Sequence, residues 1–226
     1  MSEQIFKLTS ALNARLARIR QKGCTVQVTQ DFEEASRILT GTGKPYLTPT
    51  LSPKWNDFTG ENCFWMHISH RQEVLGAVGV KREAIGGEAV SKYWKRIHRR
   101  QYPRDDDGEV IERVSPLLDR TLRGDLAYFG DLFFNPRLRS LHVTEDFGHA
   151  ALYHAALCFH SDFFYAFLKD RDLRRGFGFQ LGLMHCVRQA QVWADPIPET
   201  RGSHEACCYS TLDDVAALSE LDVGLA

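Results

Sequence analysis

The chain has 226 residues, 43% of them hydrophobic and 25% charged, with 28 Lys+Arg against 29 Asp+Glu. That length and mixture are ordinary for a soluble globular protein of one large domain, or one domain with an elaboration. The near-neutral balance excludes a bulk field that would steer the chain to nucleic acid or to acidic partners, and no run of about 18 uninterrupted apolar residues marks a membrane span.

Ile5, Leu8, Leu12, Leu16 and Ile19 recur at helical spacing and predict an N-terminal helix within residues 1–23. This start is amphipathic, not a basic stub followed by an apolar run, so it does not read as a secretory leader. Over 24–30, Cys24, Val26 and Val28 alternate as in a strand, and "DFEEASRIL" opens with acids, as a helix does. Residues 41–61 hold Gly41, Gly43, Pro45, Pro49, Pro53 and Gly60 and read as a long loop. "NCFWMHIS" and "VLGAVGVKRE" flank the polar turn "HRQE" as a hairpin. A helix over 88–100 has Tyr93, Trp94 and Ile97 as its apolar edge. A polar loop follows, and 110–124, interrupted by Pro116, reads as a short helix plus turn. "DLAYFGDLFFN" is a strand, "EDFGHAALYHAALCFH" a helix and "DFFYAFLKD" a strand; "RDLRRGFGFQLGL" is a helix of poor propensity. "HCVRQAQVW" and "HEACCYS" are closing strands, and Thr211 with Asp214 three residues on opens a terminal helix. The order describes an α/β chain with a mixed central sheet flanked by helices.

The six cysteines, at 24, 63, 158, 186, 207 and 208, form no Cys-x-x-Cys pair, and the reading is free thiols in a reducing cytoplasm. His149, His154, His160 and Cys158 crowd one region, but 149 and 154 are five apart and do not share a helix face, so no metal site is expected. Lys92, Lys95, Arg96, Arg99, Arg100 and Arg104, interleaved with Tyr93, Trp94 and Tyr102, have the composition of a nucleic-acid patch. Asp105–Asp107 follow at once and cancel much of that field, which favours a solvated helix face.

The stretch "YFGDLFFNPRLR" places an acid, Asp131, inside an apolar strand, ends the strand at Asn135–Pro136 and lines its exit with Arg137 and Arg139. This pattern of acid, three apolar residues, any residue, proline and then arginine three further on resembles the central strand of the GNAT superfamily. Members of that superfamily move an acyl group from coenzyme A to an amine. "RRGFGF" (174–179) is similar to the Gly-Phe ending of a later family helix. The element order follows the family from about residue 24 to 211. The resemblance implies one GNAT-like domain over 1–226, with a helical insert at 84–123 and a strand–loop–helix for coenzyme A at 124–160. It implies an N-acyltransferase, with acetyl-CoA or another acyl-CoA as co-substrate and a small-molecule or peptide amine as acceptor. By the same analogy the acceptor pocket comes from the first helices and the segments 41–61 and 84–123, and the last strands pair in a homodimer.

The family's roles carry over as follows. Asp131 is the base that deprotonates the ammonium, and burial among Phe129, Phe133 and Phe134 would raise its pKa. Leu132, Phe133 and Phe134 form the strand edge along which coenzyme A lies, with a backbone N–H near Phe133 as oxyanion donor. Arg137 and Arg139 offer cations to a pyrophosphate seated on a helix N-terminus. Counted from Arg139, the family's loop glycines fall on His142 and Thr144; a second register, preferred here, uses Gly148, His149 and Ala150, with Glu145 and Asp146 competing with phosphate. The family's general-acid tyrosine falls on Arg174, which leaves Tyr165 or Tyr153 as substitutes. These departures keep two alternatives in view: a catalytically inactive GNAT-fold protein that binds a ligand or partner in the same cleft, and, more distantly, a nucleic-acid adaptor using the basic helix at 88–104.

Overall fold

The alternating segments of the sequence pair into one eight-stranded sheet. A computed structural model describes residues 2–42, 44, 47–106, 108–202 and 204–224, without the side chains of residues 2, 139 and 204. In chain order the elements are α1 (Ser2–Gln21), β1 (Cys24–Thr29), α2 (Phe32–Gly41), β2 (Cys63–His70), β3 (Glu73–Gly86), α3 (Val90–Gln101), β4 (Ile111–Val114) and α4 (Pro116–Thr121). They continue with β5 (Gly124–Phe134), α5 (Pro136–Ser140), α6 (Thr144–Phe159), β6 (Phe163–Lys169), α7 (Asp170–Leu173), α8 (Phe177–Gln180), β7 (His185–Trp193), β8 (His204–Thr211) and α9 (Leu212–Gly224).

The strand order is β1-β2-β3-β5-β6-β8-β7-β4. Every neighbouring pair is antiparallel except β5–β6. A parallel pair needs a crossover rather than a hairpin, and α5 and α6 supply it. Helices cover both faces. On one, Leu8 and Ile19 of α1, Phe147 and Leu152 of α6 and Val215 of α9 share a core with Phe64, Val80 and Phe129. On the other, Leu39 of α2, Trp94 of α3 and Leu118 of α4 pack over Trp65, Tyr128 and Tyr165. This mixed central sheet flanked by helices is the α/β fold class expected from the sequence.

Two elements differ from the sequence reading. Ile111–Val114, expected as part of a short helix, is a strand that pairs with β7. Pro116 sits in the first turn of α4, where its missing N–H costs nothing, so the helix starts there and no earlier. The four residues before it bury Ile111 and Val114 at the sheet's edge. The poor-propensity helix after 170 is two short pieces, α7 and α8, separated by Gly176 at φ +71°, a left-handed conformation that suits glycine.

One buried charge cluster ties α1, α6 and α9 together. Arg15 grips Asp222 with Nε (2.7 Å) and Nη2, and its Nη1 donates to Asp146 at 2.7 Å and Glu145 at 3.2 Å. Tyr153 donates to Asp222 at 2.6 Å, and His149 lies 3.2 Å from it. Burial pushes the Asp222 carboxyl up, but hydrogen bonds from His149, Arg15 and Tyr153, with the Arg15 charge, outweigh it and hold the group well below the usual carboxylate range. Removing one member of such a group leaves the others buried and unmatched, so Asp222→Asn should cost about 3–5 kcal/mol in urea unfolding at pH 7. A depressed folded pKa contributes stability that is complete above the unfolded value, about 3.9, and that falls away as pH drops below it. The gap between wild type and Asp222→Asn should therefore be full at neutral pH and shrink towards pH 2.

Candidate active site

β5 carries one residue more than its partner. Between the pairs Gly79↔Gly130 and Ala77↔Phe133, Val78 of β3 faces both Asp131 and Leu132. This is a β-bulge, and Asp131 takes its left-handed position at φ +51°. Aspartate is one of the few non-glycine residues that visit this region, at a cost of roughly 1–2 kcal/mol. The bulge exchanges the faces of the strand. Before it, Leu126 and Tyr128 pack on the α3 side and Ala127 and Phe129 on the α6 side; after it, Leu132 and Phe134 pack on the α6 side.

The Asp131 carboxylate is buried on the α3 side. It accepts a charge-assisted hydrogen bond from Lys44 Nζ and further bonds from the Thr48 N–H, at 3.0 Å to Oδ1 and 3.3 Å to Oδ2. Phe129 and Phe134, expected to enclose it, lie on the opposite face because of the bulge. Its neighbours are a cation and an amide from the 42–48 segment.

Beyond the bulge β5 and β6 part company. Their parallel pairing runs from Leu126↔Phe163 to Phe129↔Ala166 and stops. β5 continues beside β3, and β6 beside β8. Residues 130–134 therefore have no strand on their β6 side, and a cleft of about 700 Å3 opens there. Leu132, Phe133 and Phe134 form one wall, Thr144 and Glu145 of the first turn of α6 form the end, and Arg175 and Phe177 lie opposite. No side chain caps α6, and Phe147 N–H bonds back to Val143 O at 2.9 Å. The amides of the first turn have no helical partner. Glu145 and Asp146 would oppose an anion at this end, but both are bonded to Arg15. Arg171 and His142 also line the cleft, and Arg171 donates to Asp172 at 3.3 Å. Among the described residues Arg175 makes no ion pair.

Of the residues singled out in the sequence, Leu132, Phe133 and Phe134 meet on this cleft, and Asp131 lies just behind them on the other face. The others lie elsewhere. Arg137 is exposed on α5 and donates to Glu73 at 2.5 Å, at the β2–β3 hairpin. The Arg139 side chain lies outside the described residues. Gly148, His149 and Ala150 are buried in the second turn of α6, because the helix starts four residues before Gly148, at Thr144. A Cβ at Gly148 would stand 2.3 Å from the Gln180 carbonyl oxygen, so this glycine admits α8, not a phosphate. His149 faces Asp222 and, at 3.4 Å, the Phe179 carbonyl. The register counted directly from Arg139 is the one that reaches the cleft, through His142 and Thr144.

Tyr165 points to the α3 side. Its hydroxyl donates to Glu83 at 2.6 Å and accepts from Trp94 Nε1 at 3.0 Å. Burial, and then the Glu83 charge, push this phenol far above its ordinary range. Tyr153 is committed to Asp222. Neither hydroxyl lines the cleft. Sequence reasoning missed Lys44, Thr48 and Arg175, and met His142 and Thr144 only in the register it set aside; only the charge run "RDLRR" could have pointed to Arg175.

The basic segment of α3 is matched by acids. Arg96 bonds Glu88, Arg99 bonds Glu109, Arg100 bonds Asp57 and Arg104 bonds Asp106. Among the described residues no three metal-ligating side chains converge, and all six cysteines are unbridged. Among the described residues no helix is long and apolar enough to cross a membrane.

No family model matches the chain, and no curated protein matches it. Solved structures do. The N-acyl amino acid synthase FeeM from uncultured soil microbes aligns with 88% of this chain and 97% of its own at 9% identity and a TM-score of 0.48. An apo variant of agmatine N-acetyltransferase aligns with 82% and 99% at 13% identity and 0.48. A chimera of spermidine N-acetyltransferase SpeG from Vibrio cholerae and hSSAT aligns with 86% and 99% at 11% identity and 0.47.

The close approach at Gly148 is against backbone, which cannot swing away. Gly148→Ala should therefore destabilise the chain by about 1–3 kcal/mol, read as a lower urea midpoint, in spite of alanine's better helix propensity.

Proposed function

We propose that this chain is an acyl-coenzyme A-dependent N-acyltransferase, using acetyl-CoA or another acyl-CoA and an amine acceptor. The observation that carries the reading is the bulge at Asp131. It sets a buried carboxylate on one face of β5 and an unpaired strand edge, leading to an uncapped helix, on the other. The cleft suits the donor. A pantetheine-like arm is a chain of amides, and the free edge of 130–134 offers it backbone partners. The first-turn amides of α6 and the Arg171 and Arg175 guanidiniums suit a diphosphate.

In this reading the acceptor arrives from the α3 side as an ammonium. It replaces Lys44 at Asp131, which takes one proton and leaves a neutral amine. The nitrogen attacks the thioester carbonyl carbon, and a backbone N–H of β5 past the bulge donates to the developing oxyanion. The C–S bond then breaks, an amide forms, and the thiolate takes the second proton. A thiol of pKa about 8.5 is a fair leaving group, so the commitment of Tyr165 to Glu83 is no obstacle.

Saturating acetyl-CoA, at about 100 Kd, should add roughly 2.7 kcal/mol to the unfolding free energy, and Arg175→Glu should weaken that binding. Thiol release with an amine panel measures transfer. Asp131→Asn, which tolerates the same left-handed backbone, should lower kcat by about 10²–10⁴-fold and leave acetyl-CoA binding in place. Binding of acyl-CoA without transfer to any amine would assign the chain to the inactive, ligand-binding alternative.

A further inference from the structure

Arg201 is a buried cation with an unused grip. Its side chain is 5% exposed. It sits among three rings, with its guanidinium carbon 5.0 Å from the Trp193 centroid, 5.4 Å from Phe167 and 5.9 Å from Tyr102. Aromatic faces attract a cation but offer its N–H groups no lone pairs. Among the described residues Nε and Nη2 have no hydrogen-bond partner. Glu205 does not fill that role. Its carboxylate accepts from Gln191 at 3.2 Å, Trp193 Nε1 at 3.3 Å and the Gly202 N–H at 3.4 Å, and it stands 3.6 Å from Arg201 Nε.

The two unmatched donors are the fork that holds a carboxylate. Elsewhere in this protein the same pair, Nε and Nη2, holds Asp222 from Arg15 and Asp106 from Arg104. Leaving such donors buried and unmatched costs about 1–3 kcal/mol or more for a charged group.

Arg201 also lies on the face of the sheet that holds Asp131. Tyr128, three residues before Asp131 on β5, belongs to the core on this face, with Tyr102 and Trp193. A Cβ at Gly130 would meet the Tyr128 ring at 2.5 Å, so the ring folds along the strand towards the bulge. Burial pushes the Tyr128 phenol up; the Arg201 charge opposes that shift and the Asp131 charge adds to it, so both charges are felt at this ring. A second path runs through Tyr102, whose hydroxyl is 3.3 Å from Thr50 Oγ1, two residues from the Thr48 amide that binds Asp131. Tyr102 also borders a cleft of about 460 Å3, lined with it by Val110 and by Pro196 and Pro198 of the segment leading into Arg201.

We propose that the acceptor is an amine that also carries a carboxylate, with the amine at Asp131 and the carboxylate on the Arg201 fork. This rests on the N-acyltransferase reading for the chemistry, but the carboxylate site is testable without it. The full chain is melted with 6-aminohexanoate, 4-aminobutyrate and phenylalanine, and with hexylamine, butylamine and phenethylamine, each with and without acetyl-CoA; transfer to each amine is followed by thiol release. At least one amino-carboxylate should raise Tm and surpass its alkylamine in kcat/KM by at least about tenfold. Arg201→Lys keeps the charge and loses the fork; it should abolish that preference and leave the acetyl-CoA shift unchanged. If Arg201→Lys does not fold, the wild-type comparison of each pair decides alone. A carboxylate-dependent Tm shift without any transfer would keep the Arg201 site and remove the acyltransferase reading. Equal rates and equal Tm shifts within every pair would overturn the carboxylate site and leave acyl transfer standing.

Discussion

Because a strand's side chains alternate with a period of two, one inserted residue exchanges the faces of everything after it. In β5 that residue is Asp131, and three features depend on it. The carboxylate is buried beside Lys44 and Thr48 instead of in the α6-side core. Leu132 and Phe134 join the α6-side core, which holds the far half of the strand to the crossover helix. The strand also bends where its pairing with β6 ends at Phe129↔Ala166, so the opening between the two strands begins beside the acid. A glycine would adopt φ +51° at less cost. An aspartate there bears the strain and adds a charge that needs Lys44 and Thr48 to satisfy it.

The buried charges divide by how completely they are matched. Arg15 and Asp222 satisfy each other and recruit Tyr153, His149 and Asp146, and their work is to join three helices. Lys81 and Glu83, 2.7 Å apart, hold Tyr165 and through it Trp94, which fixes α3 on the sheet. A buried pair gains little over a well-packed apolar one even when it is complete. Arg201 is matched less completely than either pair, and it sits among rings where a methionine or leucine would pack without penalty. Stability alone does not explain its presence.

Much of the fold was legible because burial imposes period. The alternation of 24–30 and 185–193 and the helical spacing of 3–20 mark elements with one more exposed side, while the largely apolar runs of 62–69 and 125–134 mark strands buried on both faces. The capping pair was legible too: Thr211 and Asp214 exchange hydrogen bonds at the start of α9. β4 was not, since four residues beside a proline have too little pattern to separate an edge strand from a turn. The span of α6 was legible to within a residue, but Gly148 resembles a loop residue in sequence; only the Gln180 backbone shows it to be a packing residue. The partners of the site lay beyond local reading altogether. Lys44 is 87 residues from Asp131, and Arg15 is 207 from Asp222.

In the proposed reading, the contact between Lys44 and Asp131 sets a condition on any acceptor. A tethered ammonium competes as an intramolecular ligand, with an effective concentration in the millimolar range for a short flexible link. A plain alkylamine meets Asp131 on no better terms than Lys44 does, so it needs at least comparable concentration to displace it. An acceptor with a second anchor escapes that limit. Charge-assisted hydrogen bonds to a buried guanidinium are worth about 1.5–3 kcal/mol each, roughly ten- to a hundredfold in affinity. That is enough for a dilute amino-carboxylate to replace the lysine while unrelated amines are kept out. The acid on the strand selects for an amine of any kind. On this argument the fork at the far end of the same face is what makes the selection narrow.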